Sequence, residues 1–242
     1  VRNHENIAAV GHYSALFATL PVASERAQSM LPPGVSLGAQ SLTPPGQHPL
    51  LLMFGHHTHV HPAFLDIGGW SYHEFLVAIP WVTKGGSATV WSHMPRLYLD
   101  SWAMVLAGWL YAFPKMRARI AAPADAYGVR TWIAGGRRIS ARWQLEGDAG
   151  PASAFPDFAG VAPTFAQPFI QRFTPLPFVA STMAFDLASA TLQAATASVE
   201  IDDAFVPGLP TGSFSFPSIA GNPLGAFTID VPWTLSWPRF GG

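Results

Sequence analysis

Hydrophobic and polar positions alternate along much of this chain in the two-residue rhythm of half-buried strands. HYSALFATL (12–20) is the first such stretch. ASERAQSML follows, with Ser24 placed to cap a short helix and Pro32-Pro33-Gly34 placed to stop it. LLLMFGHHTHVH (50–61) predicts another strand, and its uniformly apolar first half predicts a central position covered on both faces. SYHEFLVAIPWV and SATVWSHMPRLYL flank a Thr83-Lys84-Gly85-Gly86 turn as one hairpin, and GVRTWIAG and RRISARWQLEG flank Gly135-Gly136 as another. Between the hairpins, Asp100 is placed to cap a helix over 101–111. Pro114 ends that helix by removing a backbone donor and restricting Phe113. Beyond residue 150 a loop of Pro, Ala and Phe leads to PFIQRFTPLPF. AFDLASATLQAATASVEI then reads as two short strands and GAFTIDVPWTLSW as a last one. Many strands, short turns and a few short helices, with no repeat or linker, predict one mainly β (α+β) domain over 1–242. An antiparallel barrel or stacked sheets would accommodate them.

Composition narrows the function classes. Charged residues are 11% of the chain, against ~25% in an ordinary soluble domain. The formal net charge is −1 and no basic stripe is interleaved with aromatics, so nucleic acid is not an expected partner. With 17 Phe and 9 Trp the chain has much apolar surface to bury. Charge-poor sheet edges need cover, which predicts a homo-oligomer, a dimer or larger. The absence of cysteine excludes disulfides, a thiol nucleophile and thiolate metal sites. VRNHENIAAVGHYS lacks the layout of a secretory signal, and WAMVLAGWLYAF (102–113) is far short of the ~20 residues that span a bilayer. The expectation is a cytoplasmic protein with no membrane association.

Candidate chemistry centres on Lys115, one of two lysines. A solvated lysine at a helix C-terminus is the ordinary reading. Three features favour another: the preceding helix is apolar nearly all round, Pro114 fixes the backbone into the lysine, and Arg117 and Arg119 already supply charge. A desolvated lysine loses hydration of its charged form, and the neutral amine attacks a ketone to form an imine. The protonated imine withdraws electrons from the adjacent carbon, as decarboxylation and aldol cleavage both require. Alternation places Tyr72, Glu74 and Leu76 on one strand face, so Glu74 is a candidate to move a proton at that carbon.

The segment YLDSWAMVLAGWLYAFPKMRARI (98–120), together with Tyr72-x-Glu74, resembles the acetoacetate decarboxylase-like superfamily. HYSALFATLPVASERAQSMLPPG, SVEIDDAFVPGLPTGSF and GAFTIDVPWTLSW extend the likeness along most of the chain. The resemblance implies an antiparallel cone-shaped β-barrel with a flanking sheet and a few short helices. It also implies a cofactor-free Schiff-base lyase of decarboxylase or aldolase–dehydratase type, with Lys115 as the Schiff-base residue and Glu74 beside the reacting carbon. The chain departs from the pattern at Gly108-Trp109-Leu110, where the family carries Gly-Arg-Glu, and LLLMFGHHTH offers no counterpart of the family's second pocket glutamate. These losses favour a bulky or aromatic keto acid or ketone, held by Tyr72, Trp102, Trp109, His57 and His59, with Trp70 and Trp91 as further candidates and Arg96 facing a substrate carboxylate. Arg96 can equally pair with Asp100, and Arg172 has a similar, weaker claim. Two other readings stay open. A non-catalytic small-molecule-binding barrel would fit the missing Arg and Glu. A metal enzyme would use the cluster His56–His61, in which His57, His59 and His61 share a face if the strand is regular, completed by Glu74 or His93.

Overall fold

The computed structural model of the protein describes residues 6–65, 68–111, 113–131, 138–172, 177–202 and 205–240. The long alternating runs become long strands. β1 (Ile7–Ala23) leads into α1 (Ser24–Ser29), and β2 (Val35–Leu37), β3 (Gln47–Pro62), β4 (Trp70–Lys84) and β5 (Trp91–Leu99) follow. α2 (Trp102–Leu110) separates β5 from β6 (Lys115–Ala121), and β7 (Ala126–Thr131) and β8 (Arg138–Pro151) come next. The Gly135-Gly136 turn expected between β7 and β8 lies outside the described residues. The stretch read as a Pro-, Ala- and Phe-rich loop holds α3 (Phe158–Val161) between two 3-10 turns, Ala152–Ala154 and Ala162–Ala166. Its structure comes from burying Phe158, Val161 and Phe165, which outweighs weak local propensity. β9 (Phe169–Arg172), β10 (Phe178–Ser181), β11 (Met183–Phe185), β12 (Thr191–Ile201), β13 (Gly212–Phe216), β14 (Phe227–Ser236) and β15 (Arg239–Phe240) follow.

The strands form one fifteen-stranded sheet in the order β15-β10-β9-β5-β6-β7-β8-β12-β14-β1-β3-β4-β2, with β11 on β14 and β13 on β12. This corrects the expected antiparallel cone-shaped barrel with a flanking sheet. The flanking strands are continuous with the rest, the sheet ends at β2 and β15, and β5 makes parallel joints with β6 and β9. β4 also pairs with β5, so the sheet folds back on itself there. The physical reason is α2. A strand–helix–strand crossover returns the chain parallel to its start, and periodicity within single strands carries no sign of that.

β3 sits between β1 and β4, as its apolar half requires. Leu50, Leu52 and Phe54 join one buried layer, and Leu51 and Met53 join the other. Each fully buried leucine contributes roughly 2 kcal/mol of transfer free energy. The helix caps are displaced from their expected places. Ser24 is the first residue of α1, and Ala23 precedes it without a side-chain cap. α2 is capped by Ser101, which accepts from the Met104 amide, because Asp100 is engaged by the His73 amide and ring. Among the described residues no helix is long and apolar enough to cross a membrane.

Candidate active site

Strand register assembles a compact cluster. Lys115 opens β6 opposite Leu97 of β5, and Leu97 lies opposite Leu76 of β4. Glu74 stands two residues before Leu76 on the same face, diagonal to the lysine across β5. On the other side of β4, Tyr72 pairs with His57 of β3, which pairs with Tyr13 of β1. Four distant strands thus aim Tyr13, His57, Tyr72, Glu74 and Lys115 at one cavity of about 70 Å³, walled further by Met94, Phe113, Phe185 and Trp233.

Two glycines make the approach possible. A Cβ at Gly108 would lie 2.2 Å from Cδ of Lys115, so only glycine lets the lysine stem pass beneath α2. A Cβ at Gly55 would lie 2.1 Å from the Tyr13 ring, which therefore rests directly on the β3 backbone. Behind the lysine, its backbone carbonyl accepts from Trp109 Nε1 at 2.9 Å.

Lys115 Nζ lies 3.3 Å from Glu74 Oε2, with the two side chains 11% and 5% exposed; the contact is an ion pair without the alignment of a hydrogen bond. Glu74 Oε1 accepts from His57 Nε2 at 3.4 Å. Since a carboxylate only accepts, this fixes the proton on Nε2 and leaves Nδ1 as a lone pair. The imidazole is clamped between Tyr13 and Tyr72, with ring centroids at 4.3 and 4.8 Å, and meets the edge of Trp233. The ammonium lies 5.4 Å from the Tyr72 ring centre and 5.9 Å from that of Phe113.

Burial by itself raises the carboxyl of Glu74, but the Lys115 ammonium and His57 outweigh it and hold the group down at about 2. Burial pushes the His57 imidazole below its ordinary range, against the pull of Glu74. Burial, and then Glu74, push the Tyr13 and Tyr72 hydroxyls well up. At neutral pH the cavity therefore holds a carboxylate, a neutral imidazole and two neutral phenols. Tyr13 Oη, His57 Nδ1 and Trp233 Nε1 are buried without a hydrogen-bond partner among the described residues.

Of the residues expected at the site, Lys115, Glu74, Tyr72 and His57 come together. Trp102 and Trp109 instead border a neighbouring depression of about 520 Å³, which Lys115 also touches. Arg96 pairs with Val77 and shares the face of Tyr98, opposite that of Leu97 and Leu99. His59 is exposed at a register shift between His57 and Val60, with φ 52. That bulge breaks the alternation that would have lined up His57, His59 and His61. His56 and His73 face the opposite side of the sheet from His57, stacked at 4.4 Å, with His56 on Ser71 and His73 on Asp100. Among the described residues no three metal-ligating side chains converge. Arg172 Nη1 donates to Pro33 O, and the guanidinium lies over Phe178.

Tyr13 and Trp233 were not expected at the site. Both alternate correctly in their strands, but only the pairing of β1 with β3 and β14 brings them to the lysine.

No family model matches the chain, and none of the curated proteins does. Solved structures do. An acetoacetate decarboxylase is 12% identical, with a TM-score of 0.63 over 96% of this chain and 88% of that one. An acetoacetate decarboxylase-like enzyme from Sphingomonas wittichii RW1 is 14% identical, with a TM-score of 0.60 over 98% and 95%. The enduracididine biosynthesis enzyme MppR, complexed with the condensation product of pyruvate and imidazole 4-carboxaldehyde, is 15% identical, with a TM-score of 0.60 over 97% and 89%. The chain thus shares, over nearly its whole length, the fold of acetoacetate decarboxylase-like proteins.

Proposed function

We propose that this protein is a cofactor-free lyase that binds a carbonyl compound as an imine on Lys115. The observation that carries the reading is the Lys115–Glu74 pair at 3.3 Å inside an apolar cavity. A buried ion pair costs stability relative to an apolar replacement, so its presence there is better accounted for by chemistry than by folding. The ammonium gives up one proton, and nitrogen attacks the carbonyl carbon. Loss of water leaves an iminium whose positive charge again faces Glu74. The iminium is itself the electron sink for cleavage at the neighbouring carbon, so no cofactor is required. Glu74, with His57 behind it, handles the proton at that carbon. The condensation product held by the enzyme of similar fold supports reading this cavity as a carbonyl site.

Borohydride reduction in the presence of small ketones, aldehydes and oxo acids tests the proposal. A mass increment mapped to Lys115, and lost in Lys115→Met, is the expected result. An unlabelled lysine across the whole series would leave a ligand-binding protein. We also infer self-association through α2, whose Trp102, Leu106, Trp109 and Leu110 form one exposed apolar stripe at i, i+4, i+7 and i+8. Sedimentation velocity of Leu106→Glu/Leu110→Glu tests this: a smaller species than the parent is expected, and an unchanged one refutes it.

A further inference from the structure

The cavity has features that restrict its substrate more narrowly than imine formation does. Among the described residues, Lys115 is the one cationic side chain lining it, and Glu74 is the one anionic side chain. Arg96 faces the other side of β5, and Arg117 borders the neighbouring depression. Imine formation keeps a single positive charge on the nitrogen, so the cavity stays neutral only if the substrate is neutral. An oxo acid would add a second anion beside Glu74 with no cation to meet it, in a site too dry to screen it.

The same cavity presents unmet hydrogen-bonding capacity. Trp233 Nε1 is a donor, His57 Nδ1 is a lone pair, and Tyr13 Oη can do either; all three are buried and have no hydrogen-bond partner among the described residues. Buried polar atoms are ordinarily paired, and these three belong to side chains that line the same small apolar cavity; together they would match an uncharged oxygen that both donates and accepts. A hydroxyl is such a group. His57 is also built to take its proton: Nε2 donates to Glu74, whose carboxylate stabilises the imidazolium that forms, and the tyrosine clamp fixes the ring.

We propose that the substrate is a small, carboxylate-free β-hydroxy ketone or aldehyde, cleaved between the α and β carbons with His57 Nδ1 as the base for the hydroxyl. This rests on the imine reading above. In the iminium adduct His57 removes the hydroxyl proton, and the oxygen pair closes the new carbonyl. The Cα–Cβ bond breaks, and its electrons move into an enamine as the C=N pair returns to nitrogen. The aldehyde leaves. The enamine carbon takes the proton back, and water hydrolyses the iminium to free ketone and lysine. Reactant and products balance without oxidant or reductant.

The test uses 4-hydroxypentan-2-one and 4-hydroxy-2-oxopentanoate, which share a skeleton and differ in methyl against carboxylate. Both release acetaldehyde, which one coupled assay reads, while borohydride trapping at Lys115 reports the imine separately. The expected result is a kcat/KM at least about tenfold higher for the neutral compound. His57→Gln, which keeps a donor toward Glu74 but no ring base, should still trap the ketone while kcat falls by at least about 100-fold. Its acid limb in the pH profile should also disappear. Equal or better turnover of the oxo acid overturns the substrate class and leaves the imine intact. A ketone trapped but never cleaved, or cleaved as well by His57→Gln, overturns the role of His57. No label from either compound defeats the imine reading and this inference with it.

Discussion

Replacing Glu74 by glutamine removes one charge from the cavity while keeping an acceptor for His57. The loss can be sized in two ways. At 3.3 Å and an effective dielectric constant of ~20, the attraction to Lys115 is about 5 kcal/mol before desolvation is counted. The fall of the Glu74 carboxyl from 4.5 to about 2, which already nets burial against Lys115 and His57, corresponds to about 3 kcal/mol. We expect Glu74→Gln to lose about 3 kcal/mol in urea denaturation at pH 7, because the lysine is left buried and unmatched. Lys115→Met should lose a similar amount for the mirror reason. The double variant should recover most of one loss, since neither charge is then stranded. The pH dependence has a definite sign. Glu74 titrates lower in the folded state than in the unfolded chain, so its contribution is whole above about pH 4.5 and fades as pH falls toward about 2. The gap between the parent and Glu74→Gln should therefore close across that window. A gap that stays constant from pH 7 to pH 2.5, or a double variant as unstable as the two single losses added together, would show that the pair does not interact as its geometry requires.

Further expectations concern the residues that hold the lysine in place. Gly108→Ala should cost no more than about 2 kcal/mol, because the ~1 kcal/mol that alanine adds to the helix offsets part of what is lost as Lys115 shifts off Glu74. Yet it should slow borohydride trapping by about 100-fold, since the new methyl displaces the flexible lysine stem. Gly55→Ala meets a rigid ring instead of a flexible chain. It should cost about 1–3 kcal/mol by denaturation and blunt trapping through loss of the His57 clamp. Tyr127→Phe removes buried hydrogen bonds from Tyr127 Oη to the Gly55 and Glu74 carbonyls, and about 1–2 kcal/mol of stability should go with them.

Much of the local structure was legible in the amino-acid order. Alternation located β1, β3, β4 and β5, the apolar half of β3 gave its central place, and Pro114 gave the end of α2. The expected caps failed by one residue: Ser24 lies inside α1 behind Ala23, which makes no side-chain cap, and Ser101 caps α2 while Asp100 is held by His73 on another strand. The short helices after residue 150 were missed because their cause is burial of three apolar side chains, which local propensity does not report.

For the site, local order alone placed Lys115 behind an apolar helix and a proline, and put Tyr72 and Glu74 on a common face. Whether those faces meet depends on register between strands far apart in the chain, and no periodicity encodes that. Tertiary structure decided that His57 joins the cluster while His59 turns outward at a bulge. It put Arg96 on the wrong side of β5, and Trp102 and Trp109 beside a different depression. It also brought in Tyr13 and Trp233, and set a lysine and a glutamate 3.3 Å apart away from water. A side chain's direction within its own strand follows from the alternation of the backbone; its neighbours follow from how the strands are ordered, and only the folded sheet fixes that.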